Sequence, residues 1–146
     1  MTTSLHFRLA TMADANQLLQ WRNDSLTRQF SLNSTPITNE QHLIWLKESL
    51  LNPHRQLCIV ELGKQPIGTT RVDTQKDKHT ISWTLAPNYR GKGLAKMMVS
   101  QLVHNLSGSI CAEILPTNLA SIYVAKYAGL TYKNTKNGVM RFVIHR

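Results

Sequence analysis

The stretch HTISWTLAPNYRGKGLAKMMVSQLVHNL, His79 to Leu106, changes its hydrophobic period once, and that change limits the folds open to this chain. Up to Ala86 the residues are rich in Thr, Ile and Trp and read as a strand. From Leu94 onward, Leu94, Met98, Leu102 and Leu106 recur at helical spacing, with Ala95, Val99 and Val103 on the adjoining row. A further strand pattern, SICAEIL, follows. Strand, helix and strand in that order form a crossover, which sets its two strands parallel. Chemistry is expected at the junction, Arg90-Gly91-Lys92-Gly93, where the strand gives way to the helix.

The remaining elements fit around this unit. Leu5 to Leu9 reads as a first strand, and Thr11 as the cap of a helix running through Asp24. Thr38 followed by Gln41 reads as a capping box that opens a helix with Leu43, Leu46 and Leu50 on one side, stopped at Asn52-Pro53. QLCIVEL, PIGTTRVD and HTISWTLA make an antiparallel meander with a Gly63-Lys64 turn. After SICAEIL comes a helix from Asn118 to Ala128 ending at Gly129, then a hairpin across Asn137-Gly138. The order β-α-α-β-β-β-α-β-α-β-β implies an α/β fold of the mixed α+β kind, mostly antiparallel, with residues 1–146 as one domain.

Charge narrows the partners. Residues 90–146 hold eight Lys or Arg against one acidic residue, Glu113, and carry most of the net charge of +9. Such a field favours an anionic partner: a nucleotide cofactor, nucleic acid or an acidic surface. A nucleic-acid-binding module lacks support from any recognition motif, aromatic stripe or zinc spacing, and no metal site is expected. Cys58 and Cys111 sit in apolar stretches and read as buried, reduced thiols. No apolar run is long enough to span a bilayer and the N-terminus lacks a long apolar segment, so the expected location is the cytoplasm.

At the junction, the first amides of the helix have no intrahelical partners and the helix dipole places partial positive charge there. Gly91 and Gly93 remove the β-carbons that would hold an anion away, and Arg90, Lys92 and Lys96 add cations. The segment therefore reads as a pyrophosphate cradle. It is neither a Walker A loop nor a G-x-G-x-x-G fingerprint, because Lys96 occupies the place of the third glycine.

Arg90-Gly91-Lys92-Gly93-Leu94-Ala95 resembles the R/Q-x-x-G-x-G/A signature of the GCN5-related N-acetyltransferases (GNAT), between strand and helix as in that family. Asn118, Ser121 and Gly129-Leu130 resemble the family's second segment, and the likeness runs from about Leu5 to Phe142. The resemblance implies a GNAT-like sheet splayed between its fourth and fifth strands and acetyl-coenzyme A as cosubstrate. It puts the pyrophosphate on the amides of Arg90, Gly91, Lys92, Gly93, Leu94 and Ala95, with Asn118 and Ser121 along the pantetheine. Leu85 and Ala86 are expected to face the acetyl carbonyl and offer an N–H to the developing oxyanion. Direct attack by an amine in a ternary complex then needs that donor, a route for the amine proton and a donor to the leaving thiolate.

The chain departs from the family at two positions. The usual tyrosine acid is replaced by Ala125, and Tyr123 and Tyr127 lie on other faces of the helix. The usual strand-entry Glu is replaced by Thr80, which leaves His79 and Glu113 as candidate bases. WRN at Trp21, Arg22 and Asn23, with ISWTLAPNYRGKGLAKMM, resembles acetyltransferases of amino-sugar nucleotides in pseudaminic-acid-type pathways. That likeness suggests a sugar-nucleotide acceptor, with Trp21, Arg22, Asn23, Phe30 and Arg28 around it and a diphosphate meeting the arginines. The alternatives left open are a protein N-terminus or another small amine as acceptor, a non-catalytic coenzyme A binder, a basic nucleic-acid module and, for assembly, a homodimer.

Overall fold

A computed structural model of the protein describes residues 4–146. The elements are β1 (Leu5–Leu9), α1 (Ala15–Asn23), α2 (Ser25–Gln29), α3 (Asn39–Leu51), β2 (Arg55–Leu62), β3 (Gln65–Gln75) and β4 (Lys78–Leu85). They continue with α4 (Leu94–His104), β5 (Ser109–Ile114), α5 (Leu119–Tyr127), β6 (Thr131–Lys136) and β7 (Val139–His145). The seven strands form one sheet in the order β1-β2-β3-β4-β5-β7-β6. Only the β4–β5 pairing is parallel among the described strands, which is the crossover read from the sequence.

The expected caps set the helix ends. Thr38 and Gln41 make a reciprocal capping box at the start of α3. Thr11 makes another with Asp14, but it opens a single 3-10 turn, Met12–Asp14, that runs on into α1. The helix expected through Asp24 ends at Asn23, and a short helix not expected from the sequence follows it. Asp24 leaves helical geometry, and its carboxylate accepts from the Thr27 amide at 3.1 Å, starting α2 afresh. Helix α3 also turns a different face inward. Its buried residues are His42, Leu46 and Ser49, whereas Leu43 is exposed, because Ser49 Oγ accepts from Arg55 of β2 at 3.0 Å.

Helices α4 and α5 cover one face of the sheet, where Val99, Val103, Ile110 and Phe142 are buried in one cluster. Helices α1 and α3 cover the other, where Leu18, Trp21, Leu46 and Ile59 pack together. Each such side chain contributes roughly 1.5–3 kcal/mol by leaving water. Cys58 and Cys111 are both free; Cys58 is buried as expected, but Cys111 is only half-buried. Asn137 and Gly138, both at positive φ, turn the final hairpin. Among the described residues no helix is long and apolar enough to cross a membrane.

Gly68 holds the centre of the sheet at close quarters. A β-carbon there would lie 2.5 Å from the Thr84 carbonyl oxygen and 3.2 Å from Met98 of α4. Neither a strand backbone nor a buried core side chain yields cheaply. Gly68→Ala is expected to destabilise the fold by roughly 1–3 kcal/mol in urea unfolding. An unchanged midpoint would show that β3 and β4 can move apart there.

Candidate active site

The parallel pairing of β4 and β5 runs only from Lys78↔Ser109 to Ile81↔Ala112. Beyond it β4 continues to Leu85 with no strand on that side, so the sheet parts between its fourth and fifth strands. The Ala86 amide donates to the Ile67 carbonyl at 2.7 Å, toward β3. Donor direction alternates along an antiparallel strand, so the amides of Leu85 and Trp83 point the other way, into the gap. Of the two residues expected to offer an oxyanion donor, Leu85 has its N–H in the gap and Ala86 has already spent its own.

The gap leads to the glycine junction. Pro87–Tyr89 forms a 3-10 turn, after which Gly91 and Gly93 take φ values of 77° and 76°, a region costly for other residues. A β-carbon at Gly91 would meet nothing within 4 Å, and one at Gly93 only Lys96 Cε at 3.7 Å. The space in front of these residues is therefore open for an anion. Among the described residues, no group accepts from the amides of Gly91, Lys92, Gly93, Leu94 or Ala95, and Gly93 brings no side-chain cap. Such a cradle fits a pyrophosphate.

The cations of the junction are engaged differently from the sequence expectation. Arg90 Nη2 donates to Asp24 Oδ2 at 2.8 Å and to Thr27 Oγ1 at 3.1 Å, which ties α2 across the junction. Lys92 lies over the Tyr89 ring at 5.6 Å, and Lys96 over the rings of Tyr123 and Tyr127 at 5.4 and 5.0 Å. The bare amides, not the side chains, are what the junction presents unpartnered.

Helix α5 forms the opposite bank. Asn118 Oδ1 caps it by accepting from the Ser121 amide at 3.2 Å. Asn118, Ser121 and Val124 line the same hollow of about 420 Å³ as Leu85, Arg90, Gly91 and Phe30. Ala125 is fully buried, so no side chain at that position reaches the gap. Tyr123 and Tyr127 point away from it, as their helical phase requires.

On the other side of β4 lies a cavity of about 300 Å³ between the sheet and helices α1 and α3. Its walls include Trp21, Trp45, Trp83, Arg22, Arg71 and His42, and no carboxylate. Arg22 Nη2 donates to the Asn33 carbonyl at 2.7 Å, but its Nη1 is buried without a partner. Arg71 Nε lies 3.2 Å from Asp73 Oδ2 without the alignment to donate, while Arg55 already holds both Asp73 oxygens at 2.7 and 3.3 Å. His42 is 2% exposed, and Nδ1 is buried without a partner. Burial lowers the pKa values of Arg22, Arg71 and His42; Arg28 pushes Arg22 and Arg22 pushes His42 the same way, while at Arg71 the Asp73 carboxylate opposes burial and Arg55 adds to it. His42 therefore stays neutral to lower pH than a solvated imidazole.

Sequence reasoning missed His42 and Arg71. The usable signal was spacing, since His42 stands one helical turn before Leu46 on the face that α3 buries. Asn23 serves the fold, as its side chain donates to the Ile37 carbonyl at 2.7 Å and accepts from the Ile37 amide at 2.9 Å. Trp21 is buried in the core with one side on the cavity, and Phe30 stands between the gap and a second hollow of about 400 Å³. Glu113 borders that second hollow with Arg22, Arg71 and Asn118.

His79 is not placed to act as the base. It lies at the closed end of β4, six residues and about 20 Å of strand from Leu85. Its Nδ1 is 2.8 Å from Thr74 Oγ1 and its Nε2 2.8 Å from the Ser107 carbonyl, so Nε2 donates and Nδ1 accepts. Both nitrogens are occupied. Thr80 opens onto the second hollow with a hydroxyl where a carboxylate was sought.

The Arg90–Asp24 link is testable through pH. The hydrogen bond from Arg90 holds the Asp24 carboxyl below its ordinary range. A depressed folded-state pKa adds stability that is complete above the unfolded value of about 3.9 and disappears as pH falls through the folded value. Asparagine also caps helices well, so Asp24→Asn removes the charge and keeps the cap. The wild type is expected to melt higher than Asp24→Asn at pH 7, with the difference shrinking below about pH 4. A difference constant with pH would mean that the ion pair adds nothing.

Comparison with known proteins agrees with this geometry. The chain's fold matches a domain from Methanocaldococcus jannaschii with a TM-score of 0.86 at 19% identity, covering 99% of this chain and 100% of that one. It matches the spermidine N-acetyltransferase of Vibrio cholerae, solved with coenzyme A and spermine, with a TM-score of 0.85 at 15% identity, covering 96% and 94%. An aminoglycoside acetyltransferase solved with coenzyme A and kanamycin matches with a TM-score of 0.81 at 22% identity, covering 98% and 95%. No curated protein matches significantly in sequence. The family model described as acetyltransferase (GNAT) domain matches residues 4–131, and with the splayed sheet and the glycine cradle this establishes that the chain belongs to the GNAT acetyltransferase family.

Proposed function

We propose that the protein transfers the acetyl group of acetyl-coenzyme A to the amino group of a nucleotide-linked amino sugar, by direct attack within a ternary complex. Acetyl-coenzyme A supplies an activated acyl thioester. The Gly91 to Ala95 amides hold its pyrophosphate, and Asn118 and Ser121 flank its pantetheine arm. The Leu85 amide is the donor aimed where charge develops on the acetyl oxygen. The amine nitrogen forms the new bond to the carbonyl carbon, the carbon–sulfur bond breaks with its electron pair going to sulfur so that coenzyme A leaves as the thiolate, and the amine proton leaves toward the hollow that Glu113 borders. Ser121 is the hydroxyl bordering the gap on the helix where the family tyrosine is absent.

The observation that carries the choice of acceptor is the cavity lined by Arg22, Arg71 and His42, which holds buried unpartnered nitrogens and no carboxylate. Spermine and kanamycin are polycations, and a site for them needs acidic walls. A cationic, tryptophan-lined cavity instead supports an acceptor carrying negative charge and an apolar ring. A sugar amine flanked by electron-withdrawing oxygens is also less basic than a lysine amine, with its pKa of about 10.4, which reduces the need for a strong base.

Two outcomes test this reading. Among uridine-diphosphate amino sugars, spermidine, kanamycin and an N-terminal peptide, only the sugar nucleotides are expected to release thiol from acetyl-coenzyme A. Arg71→Ala is expected to raise the KM for the sugar nucleotide roughly tenfold or more while leaving that for acetyl-coenzyme A unchanged. Turnover of spermidine alone would overturn the acceptor assignment. Gly93→Asp, which sets a carboxylate against the cradle, is expected to weaken coenzyme A binding roughly a hundredfold in calorimetry with the circular dichroism unchanged. Retained affinity would place the pyrophosphate elsewhere.

A further inference from the structure

Arg55, Asp73, Thr80, Cys111, Val143 and Thr131 are register partners in turn, so they form one row across six strands and face one side of the sheet. Helices α4 and α5 pack on the other side, and α3 meets this row at Arg55, which donates to Ser49 Oγ at 3.0 Å. Beyond Asp73 the row opens: Thr80, Cys111 and Val143 are half-buried and Thr131 is exposed. All but Thr131 line a hollow of about 540 Å³, within the roughly 300–1,000 Å³ of small-molecule sites. Lys78, Lys133 and Arg141 line it too, and Asp73 is its one carboxylate. Asp73 is already committed, since Arg55 holds both its oxygens at 2.7 and 3.3 Å. The other three cations make no ion pair among the described residues, and Arg141 makes none even with Glu113, its register partner. Like charges turned toward one space repel, and an anion there reverses the sign of the interaction.

We infer that this hollow is a second anion site, taking a compact chain of phosphates on Lys78, Lys133, Arg141 and Arg55, and that its occupant acts on the acceptor cavity through Asp73. The site lies at the closed end of β4, where the parallel pairing starts at Lys78↔Ser109, and so stands apart from the glycine junction. Guanidinium and ammonium donors around a concave polar floor suit phosphate oxygens. Arg55 connects the hollow to the cavity on the far side of Asp73, because its guanidinium lies 5.9 Å from the ring of Trp45, a wall of that cavity. A phosphate that meets Arg55 competes with Asp73 for it. Asp73, released, turns to Arg71 Nε, already 3.2 Å from Oδ2, and takes up a cation that the acceptor's negative charge would otherwise meet. Occupancy of the hollow thus weakens an anionic acceptor. The site itself stands without the proposed acceptor; only this consequence rests on it.

The test titrates inorganic triphosphate into the isotopically labelled full chain at about 0.15 M salt, with coenzyme A at saturation to keep the glycine cradle filled. Saturable shifts are expected at the amides of Cys111, Lys133, Arg141 and Val143. By calorimetry, Lys78→Gln/Arg141→Gln is expected to lose roughly tenfold or more in triphosphate affinity. Lys47→Gln/Lys64→Gln, which sheds the same charge from other surfaces, should bind as the wild type does. Equal losses from the two pairs, or shifts confined to other residues, would overturn the site. Tighter binding of a tetra-aspartate peptide at the same amides would also overturn it, by making a protein segment the occupant. The coupling is read separately at the Arg71 Nε–H resonance, expected to move with triphosphate in the wild type and to stay fixed in Asp73→Asn. A resonance unmoved in the wild type would overturn the coupling. Shifts at Gly91 and Gly93 beside those of the row would mean that coenzyme A leaves the cradle open, which counts against the cofactor reading and leaves the second site standing.

Discussion

The structure depends on the parting of β4 from β5 after Ile81 and Ala112. A central strand normally satisfies its amides on both sides, and an amide left unpaired in the interior costs free energy. Here the outer half of β4 is paired to β3 on one side only, so the Leu85 amide is committed to the gap by the hydrogen-bonding phase of the strand. A donor held by a sheet needs no reorganisation when charge appears in front of it. The same parting lets the β4–α4 junction and the N-terminus of α5 face each other across open space.

The cations around this gap divide by what already holds them. Arg90 joins the junction to α2 through Asp24 and Thr27. Lys92 and Lys96 rest on tyrosine rings and keep their charge available nearby. Half-buried Arg22 and Arg71 and the buried, neutral His42 stand around a cavity whose walls hold no carboxylate, with Asp73 beside Arg71 outside it. Their buried, unpartnered nitrogens are costly, a cost that the proposed anionic acceptor would relieve.

What could be read from the residues was what local rules govern. The period change at Gly93, the capping box of Thr38 and Gln41, the Asn118 cap and the Asn137-Gly138 turn each depend on a few neighbouring residues, and the structure contains all of them. The failures were about which way a side chain turns once several elements meet. Leu43 is more apolar than His42, yet α3 buries His42 because its inward face also carries Ser49 toward Arg55. His79 looked available on a strand, but Thr74 and Ser107, distant in sequence, take both its nitrogens. Arg90 looked like a phosphate ligand until Asp24, 66 residues earlier, claimed it. No spacing rule contains those partners.

The central claim is that the gap and its glycine junction, with their unpartnered amides, are the cofactor's place. Titrating coenzyme A into the isotopically labelled protein and following backbone amide resonances tests it most directly. The account expects the largest shifts at Leu85, Gly91, Lys92 and Gly93, with the closed end of β4 around His79 unmoved. Saturable shifts clustered at that closed end, with the junction amides unchanged, would contradict it.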